Sequence, residues 1–292
     1  MRQQQWSGKT YGNGWMHLWL VKLLRVLDVR IIYAFAFVFI LPVVLVLSQS
    51  RAVIYSFMRY RMDYSRTKSL WKTYVNHCMF AQLVLDRFAM YAGKDFEFKV
   101  VGMEHINNLI ESPDSFIMMS SHIGNYELAG YTFKAVKKRL NVLLFSGEKA
   151  SVMENRSRLF EENNIGMIPV MDDMSHLFEI NRVLSDGEML GVLSDRMNGS
   201  KKSLKKRFLG GDILLPQGPF SIAVMKSVSV VAVDVIKTAS KQYTAYITPL
   251  PYEAEATRAV QIDQLSQAYV ENMERTVRRY PTQWYNYFEY WV

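Results

Sequence analysis

The chain has 292 residues, of which 50% are hydrophobic, and its formal net charge is +8 at pH 7. This length and composition exclude an intrinsically disordered chain and suffice for one large α/β domain or two small ones. The single cysteine excludes an internal disulfide and a multi-cysteine metal site, while the positive charge favours an acidic partner: nucleic acid, anionic lipid headgroups or an acidic carrier protein.

The first distinctive element in the chain is an uncharged apolar segment at residues 31–47. It falls slightly short of the roughly 20 residues that a spanning helix needs, and Pro42 predicts a kink. Three arrangements remain open: a thin span, a monotopic anchor or a buried core helix. The basic and aromatic residues that follow favour contact with anionic lipid, so we expect membrane association. No small-residue cleavage motif follows, which argues against a cleaved signal peptide.

Residues 1–100 are therefore interpreted as an N-terminal hydrophobic and basic helical segment. From about residue 101 to residue 292, short β-rich apolar runs alternate with stretches of helical length. This alternation predicts an α/β fold with a mostly parallel central sheet flanked by helices. The predicted strands are 116–121, 142–146, 166–170, 189–194, 228–236 and 243–249. The predicted helices are 126–139, 152–163, 175–186, 219–226 and 262–279.

The stretch SSHIGNYELAGY, at 120–131, places His122 and Glu127 just after an apolar run. Gly124 permits a turn, and Asn125 is a good N-cap for the next helix. On one continuous helix His122 and Glu127 would lie about 140° apart, so they meet only if the histidine lies in the turn. A carboxylate that holds one imidazole nitrogen leaves the other to act as a general base. The alternative is a strand-end histidine bonded to the backbone, although ligands bind at this end of parallel strands.

The sequence HIGNYE resembles the HxxxxD/E motif of the lysophospholipid acyltransferase superfamily, and is most similar to its lipid A late (lauroyl/myristoyl) acyltransferase branch. Three later stretches resemble that branch in order and spacing: GEMLGVLSDRMNG, KKRFLGGDILLPQGPFSIAVMKSVSVVAV and RRYPTQWYNYFEYWV. The resemblance covers the chain from about residue 100 to the end. It implies an α/β acyltransferase core over residues 101–292.

The resemblance implies that His122 is the general base, that Glu127 is its orienting carboxylate, and that Gly124 and Asn125 shape the turn beside the substrate. It implies transfer of a fatty acyl chain from an acyl carrier protein or coenzyme A thioester to a hydroxyl of a glycolipid or lipid A-like acceptor. No cofactor and no covalent enzyme intermediate are required. The implied location is the cytoplasmic face of a bacterial inner membrane. The alternatives are a lysophosphatidate-type phospholipid acyltransferase and a catalytically silent, membrane lipid-binding relative.

Three further residues are candidates for substrate binding. Asp195 and Arg196 stand where the branch more often has Asp-Gln, which leaves the role of Arg196 open. Its guanidinium would hold an acceptor phosphate, polarise the thioester carbonyl or form a salt bridge with Asp195. Gly218 would let backbone N–H groups approach a phosphate or oxyanion at a helix N-terminus, or would simply form a turn.

Motifs that the sequence lacks argue against several kinds of functional site. There is no G-x-S-x-G nucleophile elbow and no H-E-x-x-H metal motif, so we expect neither an acyl-enzyme nor a metal. Nucleic-acid binding is not expected, because no recognised nucleic-acid-binding motif is present.

The basic run at 201–207 is either a docking patch for an acidic partner or a solvated loop. The aromatic ending at 284–292 is expected to pack on the sheet rather than form a membrane belt.

Overall fold

The structure is a computed structural model that describes residues 14–128, 138–145, 160, 164–171, 173, 175–197 and 200–292. It is an α/β fold whose mostly parallel sheet is flanked by helices, as the sequence predicts. Nine strands are described: β1 (Glu97–Val101), β2 (Phe116–Ser120), β3 (Leu140–Phe145), β4 (Ile165–Val170), β5 (Met189–Leu193), β6 (Ser203–Phe208), β7 (Gly211–Pro216), β8 (Ser229–Ala239) and β9 (Gln242–Pro249).

Nine α-helices are described: α1 (Gly14–Val26), α2 (Val29–Phe35), α3 (Leu41–Leu47), α4 (Ser50–Ser56), α5 (Arg66–Tyr91), α6 (Glu104–Glu111), α7 (His176–Ser185), α8 (Gln217–Met225) and α9 (Arg258–Arg279). The predicted helix at 126–139 begins as a 3₁₀ turn at Tyr126–Leu128, and its next nine residues lie outside the described ones. The predicted helix at 152–163 also lies outside them, except for residue 160.

The main sheet has the strand order β1-β9-β8-β2-β5-β3-β4 within the described residues. Strand β2 lies between β5 and β8 and is parallel to both. Its sequence, FIMMS, is apolar up to its last residue because both faces of a central parallel strand are buried. Within the described part of this sheet, only β8 and β9 pair in antiparallel fashion, since a short turn joins them directly.

Three strands escaped prediction, for two different reasons. Strand β1 lies at the edge of the sheet, and its exposed charged positions weaken the apolar signal. The predicted boundary at residue 100 falls inside this strand. Strands β6 and β7 form a separate antiparallel hairpin. The sequence of β6, SLKKRF, presents three cations in succession and therefore gives no strand signal.

The apolar N-terminal segment forms one helical run from Val29 to Leu47, which is long and apolar enough to cross a membrane. A π-helical turn at Ala36–Ile40 interrupts it just before Pro42. The amide of Leu41 donates to the carbonyl of Ala36, five residues back, because the proline ring cannot accommodate a regular turn. The regular hydrogen-bond pattern is therefore interrupted at this proline, and the kink expected there stays a prediction.

A buried polar cluster joins this N-terminal segment to the sheet. Asp86 of α5 forms an ion pair with Lys237 of β8, and it also accepts hydrogen bonds from Tyr33 of α2 and Tyr243 of β9. The ammonium of Lys237 donates to the Tyr33 hydroxyl at 3.0 Å. Burial raises the pKa of Asp86 to about 6, although Lys237 and Tyr243 oppose this effect. Four separate elements therefore depend on one charged pair.

We predict that Lys237→Met lowers the free energy of unfolding by about 3–5 kcal/mol at pH 8, because it leaves the Asp86 carboxylate buried without its counter-charge. Thermal and denaturant unfolding in detergent measure this loss. The matched control is Lys241→Met, which removes a partly exposed pair with Asp28 at 3.1 Å and should change the stability little, because solvent screens an exposed pair. Equal losses in the two variants would contradict the importance assigned to the buried pair.

Candidate active site

The site forms where two neighbouring parallel strands end at the same edge of the sheet. Strands β2 and β5 pair in register, with Ser120 opposite Leu193. His122 and Asp195 each lie two residues beyond these positions. Because both strands run in the same direction, the two side chains emerge side by side.

Asp195 holds the His122 imidazole from one side. The Nδ1 atom of His122 lies 2.8 Å from Oδ1 and 3.1 Å from Oδ2 of Asp195. The His122 backbone amide also donates to Oδ2, at 3.0 Å. A carboxylate on Nδ1 fixes the tautomer with its proton on that nitrogen, so that Nε2 carries the lone pair. Among the described residues, Nε2 has no hydrogen-bond partner, which leaves it available to a substrate.

The electrostatics of this pair suit a neutral imidazole at working pH. Burial lowers the pKa of His122, and the Arg196 charge lowers it too, whereas Asp195 and Glu127 raise it. Burial acts to raise the pKa of Asp195, but His122 and Arg196 outweigh that effect and keep this pKa below its ordinary value. A neutral base beside an ionised carboxylate is the arrangement that general-base catalysis needs.

Glu127 occupies a different position from the one predicted. Its carboxylate forms an ion pair with the Arg87 guanidinium of α5 at 2.6 Å. The position on Nδ1 of His122 belongs to Asp195, so the predicted role of Glu127 as the carboxylate that holds the imidazole is corrected. The 3₁₀ turn at Tyr126–Leu128 carries Glu127 towards α5 instead. Its field still raises the pKa of His122, and participation of Glu127 in catalysis stays a prediction.

The motif loop, residues 122–127 (HIGNYE), is held by backbone hydrogen bonds to the C-terminal end of the chain and to β8. Gly124 has a φ of +63°, and its amide donates to the carbonyl of Gln283 at 2.7 Å. The amide of Asn125 donates to the carbonyl of Val235 in β8, also at 2.7 Å. A Cβ at position 124 would lie 2.1 Å from the Val235 oxygen, so only glycine fits this turn. Gly124 therefore shapes the loop, as the sequence predicts.

The C-terminal tail, residues 281–292, packs over the same loop. The amide of Tyr285 donates to the His122 carbonyl at 3.0 Å, and the Tyr290 hydroxyl donates to the Asp195 carbonyl at 2.8 Å. Trp284 and Tyr290 are almost fully buried. The tail therefore packs on the sheet, and it supports both members of the His122–Asp195 pair.

Arg196 lies beside the pair and is held by the tail. Its Nη2 atom donates to the Tyr285 carbonyl at 2.8 Å, and its guanidinium lies 5.1 Å from the centre of the Phe288 ring. Its buried Nε atom has no hydrogen-bond partner among the described residues. The structure records no ion pair between Arg196 and Asp195, so a salt bridge, one of the three roles considered for this arginine, is not what holds it.

Gly218 lies in the first turn of α8, directly after β7. A Cβ at this position would meet nothing within 4 Å. Packing therefore does not require glycine at 218, and its predicted contact with a substrate stays a prediction.

Part of the basic run at 201–207 is paired with carboxylates within the protein. Lys205 pairs with Asp212 at 2.7 Å, and the buried Lys206 pairs with Asp263 at 2.7 Å. Arg207 lies 3.9 Å from Asp212. Lys205 and Arg207 share Asp212 of β7, and Asp263 belongs to α9, so these three cations contact the rest of the fold, which weakens the interpretation of the run as a docking patch. In the described part of the chain, no group of three His, Cys, Asp or Glu residues is arranged to hold a metal ion.

Sequence reasoning missed the partners that come from distant parts of the chain. Asp195 was recognised as a site residue, and its position after β5 was the available signal for its place beside His122. Arg87 lies on a helix that the sequence links only to the N-terminal segment, so nothing in the motif indicates it. The tail residues Tyr285 and Gln283 act through backbone atoms, which carry no sequence signal.

Comparison with known proteins identifies the chain's family. The model of the bacterial lipid A biosynthesis acyltransferases matches residues 88–291, so the chain belongs to this family and is an acyltransferase. Among solved structures, it is similar to the 1-acyl-sn-glycerophosphate (LPA) acyltransferase PlsC from Thermotoga maritima, with 16% identity and a TM-score of 0.39. That match covers 94% of this chain and 100% of the other. No curated protein matches the chain.

We predict that Gly124→Ala abolishes acyl transfer and destabilises the fold, because the added Cβ collides with the Val235 carbonyl while φ stays in the left-handed region. The matched control is Gly93→Ala, since Gly93 also has a positive φ, +82°, but faces open space. That control should lose about 1 kcal/mol and keep its activity. Thermal unfolding and acyl transfer by both variants are compared with wild type, and an active Gly124→Ala enzyme would contradict the packing argument.

Proposed function

We propose that this lipid acyltransferase moves a fatty acyl chain from an acyl carrier protein or coenzyme A thioester to a hydroxyl of a glycolipid or lipid A-like acceptor. The observation that carries the proposal is the His122–Asp195 pair, in which Nδ1 is held at 2.8 Å and Nε2 is available. An imidazole arranged in this way is a general base for a hydroxyl nucleophile.

In the proposed reaction, Nε2 of His122 accepts the proton of the acceptor hydroxyl as its oxygen attacks the thioester carbonyl. A tetrahedral intermediate forms, and Asp195 stabilises the imidazolium. The carbon–sulfur bond then breaks, and the imidazolium returns its proton to the leaving thiolate. The products are the acyl ester and the free thiol of the carrier or coenzyme. The acyl group passes directly between substrates, with no covalent enzyme intermediate.

Arg196 is proposed to stabilise negative charge on the substrate. It follows Asp195, which holds His122 at 2.8 Å, and its charge lowers the pKa of that imidazole, as burial does. The carbonyl of Tyr285 and the ring of Phe288 orient the guanidinium without neutralising it. A fixed cation beside the base would suit either the oxyanion of the intermediate or an acceptor phosphate. Gly218, at the start of α8, is proposed to line the same substrate-binding face.

The proposal predicts acyl transfer by purified protein to a total bacterial lipid extract, with acyl carrier protein and coenzyme A thioesters tested in parallel. Mass spectrometry should show one added acyl mass on a glycolipid. Asp195→Asn should retain the fold but lose about 10²-fold or more of kcat, because the amide cannot hold the correct tautomer. His122→Ala should lose at least as much. His176→Ala is the matched control, because His176 lies outside this pair, and it should remain active.

Each other outcome selects a different function. Transfer to lysophosphatidate alone would replace the glycolipid acceptor with a phospholipid precursor. Transfer that survives in His122→Ala would refute the general-base mechanism. Lipid binding by wild type without any transfer would indicate a catalytically silent relative.

We further propose that the N-terminal segment docks the enzyme on the cytoplasmic face of a bacterial inner membrane. Large apolar side chains are exposed there: Trp15, Leu18, Trp19, Ile31, Phe35, Val38, Phe39, Val43, Val46, Leu47, Tyr60, Leu70 and Trp71. Residues 1–100 carry 14 Lys and Arg against 5 Asp and Glu, a net charge of +9, whereas residues 101–292 carry 21 against 22. An apolar surface with all of the chain's excess positive charge matches an anionic membrane. The cytoplasmic face is where carrier-bound and coenzyme-bound acyl donors are made.

The docking proposal predicts that the protein floats with vesicles that contain anionic lipid. Phe39→Glu, at an exposed position of the apolar run, should weaken partitioning about 100-fold, given a cost of about 3 kcal/mol for an acidic group in the bilayer core. Phe178→Glu is the control, because Phe178 is also exposed but lies on α7. Equal binding by the two variants would refute docking through the N-terminal segment. Release of wild type by carbonate would exclude a spanning helix.

A further inference from the structure

The inference concerns the ion pair that links helix α5 to the motif loop. Arg87 and Glu127 approach to 2.6 Å, and the exposed fractions of their side chains are 20% and 12%. At this degree of burial the pair is screened little by solvent, and removal of one partner leaves a charge that neighbouring groups feel. The ion pairs on the surface of α7 and α9 are more exposed, so solvent screens them more strongly.

Helix α5 is firmly positioned at this point. Asp86, the residue before Arg87, forms the buried cluster with Lys237, Tyr33 and Tyr243. The amide of Asn125, two residues before Glu127, binds the Val235 carbonyl of β8, the strand that also carries Lys237. Both ends of the Arg87–Glu127 contact are therefore anchored to the same strand, so the distance between them is fixed by the fold.

Glu127 in turn acts on the base. Its charge raises the pKa of His122, in the same direction as Asp195 and against Arg196. Asp195 lies 2.8 Å from the imidazole, the Tyr126 ring of the same loop packs 5.1 Å from it between ring centres, and the Tyr285 amide binds the His122 carbonyl. The charges of Arg196 and Glu127 also act on the imidazole. Arg87 carries the opposite charge to Glu127 and lies 2.6 Å from it. A small cavity at this junction is lined by both members of the pair, together with Met90, Tyr91, Asn125 and Leu128.

We propose that Arg87 is a positioning residue for acyl transfer: it holds the Glu127 carboxylate at a fixed place in the motif loop and thereby sets the charge that His122 experiences. This inference rests on the proposed general-base function of His122. It assigns a part in the reaction to a residue of the long helix that belongs to the N-terminal segment.

The test compares Arg87→Met, Glu127→Gln and the double variant through pH profiles of kcat/KM. Because His122 must be neutral to accept a proton, activity falls on the acid side of its pKa. Arg87→Met removes the positive charge that lies 2.6 Å from Glu127, so the acid limb should move to higher pH, and kcat/KM should fall about 10–100-fold as the Glu127 carboxylate loses its fixed position. Glu127→Gln should move the acid limb to lower pH.

The double variant separates a positioning role from a general loss of stability. If Arg87 acts through Glu127, adding Arg87→Met to Glu127→Gln should cost little further activity, and the acid limb should lie between those of the single variants. Arg87→Lys keeps the charge and should recover most of the rate. The control is Arg182→Met, which removes an exposed pair with Glu179 at 3.1 Å and should change nothing. Multiplicative losses, or an unshifted acid limb in Arg87→Met, would overturn the inference.

A second readout does not depend on substrate. The His122 imidazole can be titrated by nuclear magnetic resonance in ¹³C-histidine-labelled protein in detergent, with its signal assigned from His122→Ala. The pKa should rise in Arg87→Met and fall in Glu127→Gln. If wild type transfers no acyl chain but these shifts occur, the proposed function fails while the electrostatic link stands. If wild type is active and the shifts are absent, the link alone is refuted.

Discussion

The pairing of His122 with Asp195 across the ends of β2 and β5 is the interaction on which the rest of the site depends. It exists because two parallel strands in register place their following residues side by side. The tail then covers the backbone of both residues, through Tyr285 on His122 and Tyr290 on Asp195. Burial lowers the pKa of His122, and Asp195 orients its imidazole, so the buried pair supplies a neutral base in a fixed orientation.

The N-terminal segment is joined to the sheet and to the motif loop by specific side-chain contacts. The buried Asp86–Lys237 pair fixes α5 and α2 to β8 and β9, and the next residue of α5 contacts the motif loop. A buried pair of this kind contributes little net stability, but breaking it is costly, which makes the arrangement of its elements specific. The helices proposed to dock on a membrane and the loop that carries His122 are thus linked through the same helix, α5.

The sequence allowed prediction of six strands of the main sheet and the position of the histidine, because apolar runs and turn residues are local signals. It did not allow prediction of the carboxylate on Nδ1. The spacing of His122 and Glu127 was compatible with a contact, but the 3₁₀ turn directs Glu127 to Arg87, about 40 residues earlier in the chain. Strand β6 was missed because its lysines find their carboxylate partners, Asp212 of β7 and Asp263 of α9, only in the folded protein. Contacts between residues that lie this far apart in the chain depend on the topology of the fold, which patterns of residues in the sequence predict poorly.

The distribution of charge along the chain relates the two proposals, membrane docking and acyl transfer. The +8 of the whole protein arises from residues 1–100, since residues 101–292 together are close to neutral. In the proposed docking, this excess positive charge attracts the N-terminal segment to an anionic membrane. Helix α5 of that segment also carries Arg87, which pairs with Glu127 in the loop that follows β2. The segment proposed to dock and the loop that carries the proposed base are therefore linked through one helix.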